Sequence, residues 1–82
     1  SNIRVEWGGL FETPLGPLQI NITHDKGKTH IAAHRAGVPA PEAVAQAKEF
    51  AREQLVAERD RHLDELNRIN GKLKLLDEDK TP

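Results

Sequence analysis

The stretch PEAVAQAKEFAREQLVAERDRHLDELNRINGKLKLL, residues 41–76, decides the fold. Nothing in it forces a break except Gly71, and apolar residues recur at helical spacing throughout. At the rise of an α-helix this segment spans roughly 54 Å. The residues before it can form only a small sheet, with strands about 20–30 Å long. One end of the helix is therefore expected to cover the sheet and the other to overhang it. The overhang keeps its apolar stripe, which implies self-association or a protein partner.

Pro41 suits the first helical turn, where its missing N–H costs nothing, and Glu42 complements the positive end of the helix dipole. At 100° per residue, Val44, Ala47, Ala51, Leu55, Leu66, Ile69, Leu73 and Leu76 fall on one stripe, flanked early by Ala43 and Phe50. The expected cover over the sheet is Val44, Ala47, Phe50, Ala51 and Leu55. The later positions 66, 69, 73 and 76 have coiled-coil spacing, and stepping backwards adds His62, Arg59 and Leu55. The expected oligomer interface is thus Leu55, Arg59, His62, Leu66, Ile69, Leu73 and Leu76. An antiparallel helix pair or small bundle fits this short seam as well as a parallel coiled coil does.

Arg59 and His62 either lay their stems along the stripe's edge or pair with Glu58, Asp64 or Glu65 of a partner helix. In the second case His62 would make association pH-dependent. Within one helix, Asp64–Arg68, Glu58–Arg61 and Glu65–Arg68 have the spacing of supporting ion pairs. Asn70-Gly71 could cap the helix and turn residues 72–76 into a strand or tail. The continuing 3-4-3 spacing favours an unbroken helix, since glycine within a helix costs only about 1 kcal/mol relative to alanine.

Upstream, Ile3, Val5, Trp7, Gly9 and Phe11 alternate with Arg4, Glu6, Gly8, Leu10 and Glu12, the period of a half-buried strand. Gly8-Gly9 suggests a bulge or a close backbone approach. Residues 13–17, TPLGP, form a turn. Leu18, Ile20 and Ile22 mark a second strand, Asp25–Lys28 a hairpin turn, and Thr29–His34 a third strand. With that loop, Ile22 faces Ile31 and Ile20 faces Ala33, so pattern and turn agree on register. The fold class is α+β. A three-stranded antiparallel meander (residues 1–40) packs in two layers on one long helix (41–76), followed by a disordered tail (77–82).

Eighty-two residues make at most one domain, marginal alone, and the absence of cysteine excludes disulfides. Oligomerisation is then the natural supplement. Net charge is −1, with residues 1–40 slightly basic and 41–82 slightly acidic, too weak to name a partner. No apolar run reaches the ~20 residues of a membrane span and no signal peptide is visible, so the default location is cytoplasmic. Ser1-Asn2 and the lack of methionine suggest the remnant of a cleaved tag, with the native start at or before Ile3.

His30 and His34 have the spacing of a helical zinc pair, but Ile31 stands where the metalloprotease motif needs glutamate. On a strand they lie about 13 Å apart. No metal and no cofactor is expected. The catalytic motifs are missing: no cysteine nucleophile, no serine elbow, no phosphate loop, no dinucleotide fingerprint. Trp7 is read as core, and Leu10 and Leu15 as a small apolar patch or hairpin packing.

The expected function is a small non-enzymatic protein–protein interaction module. It would be an adaptor, inhibitor or assembly protein, of a kind that suits a phage or mobile element. It is expected to form a homo-oligomer, a dimer before larger species, and to bind an unidentified protein partner. The alternative is a weak nucleic-acid-binding domain. It would use the polar sheet face and the 24–35 hairpin, through Arg4, Asn21, Lys26, Lys28, His30, His34 and Arg35. So few cations make nucleic acid the less expected partner.

Overall fold

The structure is a computed structural model that describes residues 4–79. Ile3, at the head of the first expected strand, and residues 80–82 of the expected tail lie outside that range. Three strands, β1 (Val5–Thr13), β2 (Gly16–Asp25) and β3 (Lys28–His34), are followed by one helix, α1 (Ala40–Glu78). The strands form an antiparallel sheet in the order β1-β2-β3, and α1 packs on it. The α+β meander-and-helix fold is the one read from the sequence. The chain divides into two compact units, one ending at Arg52 and one beginning at Glu53.

The β2–β3 register is the expected one. Ile22 pairs with Ile31 and Ile20 with Ala33, around a tight turn at Lys26-Gly27. Lys26 has φ 51° and Gly27 φ 76°, and positive φ at both central residues matches the turn to the right-handed twist of the strands. Glycine takes that conformation freely, whereas Lys26 bears a steric cost.

No bulge forms at Gly8-Gly9. The β1–β2 ladder runs unbroken from Val5–His24 through Trp7–Ile22 and Gly9–Ile20 to Thr13–Gly16. The second expectation, close approach, is what Gly8 serves: a Cβ there would lie 2.3 Å from the Ile20 carbonyl oxygen. Next to it, the absent Gly9 side chain leaves a gap that aromatic rings close. Trp7 and Phe11, two positions either side, stack with ring centroids 5.1 Å apart and planes 10° from parallel. Phe11 also meets Phe50 of α1 at 5.1 Å between centroids.

The core consists of Leu18 and Ile20 of β2 against Ala47 of α1, with Trp7, Phe11, Ile22, Ala33 and Phe50 packed around them. Fully burying a side chain such as Leu18 is worth about 1.5–3 kcal/mol. On α1 the buried residues are Ala43, Ala47 and Ala51, one i,i+4 row of small side chains. The expected cover is corrected here. Ala43, expected as a flank, is fully buried; Val44 and Phe50 are half-buried; Leu55 is exposed. Ala47 and Ala51 of the expected cover are buried as read, since small side chains let the helix approach closely; the buried row extends back to Ala43 instead of on to Leu55.

Arg35 follows β3 and is buried at 7% exposure. Its guanidinium donates from Nη1 to Gln46 Oε1 at 2.5 Å and from Nη2 to Thr13 Oγ1 at 2.5 Å. Nη2 also reaches the Gly16 carbonyl at 3.4 Å. One cation thus ties the end of β3 to the β1–β2 turn and to the first turns of α1. Thr13 shapes that turn as well, donating to the Gly16 carbonyl at 2.7 Å and accepting from Leu15 N at 3.2 Å.

The helix does not stop at Asn70-Gly71 but continues to Glu78, so Asp77 and Glu78, expected in a disordered tail, are helical. A Cβ at Gly71 would meet nothing within 4 Å.

Candidate interface on the long helix

The second unit, from Glu53 onwards, is built on helical residues alone as far as Glu78. Its sequence is rich in Leu, Glu, Arg and Lys, which lose little rotamer freedom in a helix. Helix propensity alone leaves an isolated helix marginal in water, and most helices gain stability by packing an apolar face.

Among the described residues of this unit none is buried and only Val56 is half-buried. Leu55, Leu63, Leu66, Ile69, Leu73, Leu75 and Leu76 keep between 42 and 71% of their full exposure. All the apolar members of the expected interface are therefore solvent-accessible. Two further leucines, Leu63 and Leu75, were not in it. Leu63 lies seven residues after Val56 and three before Leu66, so its spacing could have placed it beside the stripe. Leu75 is nine residues from Leu66, on the opposite face of a helix with 100° per residue.

The polar members sit on the same helix. Arg59 holds its sequence neighbour Asp60 at 3.2 Å, and His62 Nε2 lies 3.7 Å from Glu58. Of the expected ion pairs, Glu65–Arg68 forms at 3.0 Å. Glu58 faces His62 rather than Arg61, and Lys74–Glu78 at 3.8 Å was not anticipated. These pairs are exposed, so each contributes at most a few tenths of a kcal/mol.

The alternative face is reduced by the structure. Arg35 is withdrawn from it: its guanidinium is buried against Thr13 and Gln46, because the end of β3 turns that side chain to the helix side. Arg4 is exposed but engaged with Glu6 at 2.7 Å. Lys26 and Lys28 stand exposed at the hairpin, and Asn21, His30 and His34 lie exposed on β2 and β3. Glu6, Gly8, Leu10, Gln19 and Asn21 border an open trough on this side of the sheet, where Gly8 contributes no side chain to fill it. Among the described residues, no three His, Cys, Asp or Glu side chains are grouped to hold a metal ion. No described helix is long and apolar enough to cross a membrane.

No protein-family model, curated protein or solved structure matches this chain.

Proposed function

We propose that this chain is a small non-enzymatic interaction module that self-associates through the C-terminal half of α1, as an adaptor, inhibitor or assembly protein does. One observation carries the reading: from Glu53 to Asp79 no residue is buried, while Leu66, Ile69, Leu73 and Leu76 stand exposed in 3-4-3 steps. A contiguous apolar stripe of this kind on a charged helix marks a surface that another protein covers. A second copy supplies the same stripe and can bury it knob into hole.

Mass by light scattering over a hundredfold concentration range tests the proposal. A dimer or larger species that dissociates on dilution supports it, and a monomer throughout that range overturns it. The uncovered sheet face, with Asn21, His30 and His34, is then the surface left for a different protein partner.

A further inference from the structure

We propose that Asn70-Gly71 is a site of spontaneous backbone modification, converting to aspartyl and isoaspartyl forms at a rate set by local opening of α1. Asparagine followed by glycine suits this chemistry, because the asparagine amide is heat-labile and glycine has no side chain to crowd its own nitrogen. The Gly71 nitrogen loses its proton to base and attacks the Asn70 side-chain carbonyl carbon. The bond from that carbon to the amide nitrogen breaks, and ammonia leaves. The resulting succinimide ring takes up water at either carbonyl and opens to aspartate or to isoaspartate. The chain's other asparagines precede Ile3, Ile22 and Arg68, whose side chains hinder the same attack.

Within α1 the reaction is held back. The Gly71 N–H points at the Asn67 carbonyl four residues earlier, and helical dihedrals keep the Gly71 nitrogen out of line with the Asn70 side chain. Opening of the helix is therefore the gate, and several features keep its barrier low. Asn70 and Gly71 are both exposed, and a Cβ at Gly71 would meet nothing within 4 Å, so no packing is lost when this turn opens. Glycine is itself among the poorest helix formers. No residue from Glu53 to Asp79 is buried, and a helix without tertiary packing is marginal in water. The last turn carries Asp77 and Glu78 and no basic residue, so its charges oppose the helix dipole.

Isoaspartate adds one carbon to the backbone. The i→i−4 ladder then fails at position 70, and Leu73 and Leu76 lose their alignment with Leu66 and Ile69. The modification thus cuts the exposed stripe in two, whatever covers it.

The full chain is incubated in warm, mildly alkaline buffer beside a peptide of residues 68–74, which is too short to hold a helix. Peptide mapping then separates the asparaginyl, aspartyl and isoaspartyl forms. Asn70 of the full chain should convert about ten- to hundredfold more slowly than in the peptide, the scale of local helix opening, while Asn21 and Asn67 stay intact. Guanidinium chloride that unfolds the chain should bring Asn70 to the peptide's rate. Gly71→Ala should slow the conversion at least about fivefold, by firming the helix and crowding the attacking nitrogen. The purified isoaspartyl chain should lose helical circular dichroism. An intact Asn70 once the peptide has reacted to completion would overturn the site. Conversion at the peptide's rate without denaturant would overturn the gate, and an undiminished helical signal from the isoaspartyl chain would overturn the break in the stripe.

Discussion

Between Ala43 and Ala51 the helix α1 meets the sheet through alanines four residues apart, whereas between Leu66 and Leu76 it carries leucines and an isoleucine in steps of three and four. The first row is buried and the second is exposed. Both are apolar stripes by composition, but they answer different surfaces. A four-residue row of small side chains lets a backbone lie close to a flat sheet. Alternating three- and four-residue steps of large side chains suit another helix, whose surface has holes for them. The size and step of the apolar residues therefore say more about what a helix face meets than its hydrophobicity does.

The largest effect should come from breaking the second stripe alone. Leu66→Asp with Ile69→Asp puts carboxylates into the proposed seam, where they lack partners. Light scattering should show complete loss of association, with the near-ultraviolet signal of Trp7 unchanged. Association that survives both changes would refute the assignment. Breaking the first region instead should leave the helix seam alone and cost folding stability. Ile20→Ala removes a side chain that is 2% exposed, and urea denaturation should show a loss of about 2–5 kcal/mol.

Arg35 sharpens the comparison, because it fastens the first region, and no cation among the described residues of the second is buried. Arg35→Met keeps most of the aliphatic stem but strands the hydrogen-bonding groups of Thr13 and Gln46. Urea denaturation should register about 1–3 kcal/mol of lost stability, with self-association retained in the native baseline. Gln46→Glu should act in the other direction. It gives the buried guanidinium a carboxylate in place of an amide, and the midpoint of thermal unfolding should rise by an amount equivalent to about 1 kcal/mol at neutral pH. The smallest change belongs to the second region. Gly71→Ala meets no neighbouring atom, so circular dichroism should show a firmer helix and a gain of at most about 1 kcal/mol.

Much of this molecule is decided within short stretches of chain. Alternation in Leu18, Ile20 and Ile22, together with a turn at Asp25–Lys28, is enough to set Ile22 opposite Ile31, because side-chain period and loop length must agree. The run from Pro41 onwards reads as a helix because good helix formers and apolar residues at 3-4 spacing agree, and at Gly71 the cost of one glycine was too small to end it. The exposed stripe at 66–76 was legible for the same reason, since its spacing is local. What required tertiary structure was the choice among candidates already present. Ala43 rather than Leu55 is buried on the sheet, because closeness of approach selects by side-chain size. Arg35 leaves the basic hairpin to join Thr13 and Gln46, 22 residues before it and 11 after it in the chain. Gly8 is required by a carbonyl of the neighbouring strand. Sequence by itself determined the elements, their register and the unpaired stripe, because those follow from local periodicity. Only the folded chain decided which of several apolar and charged groups meet, because that depends on distances between segments remote in sequence.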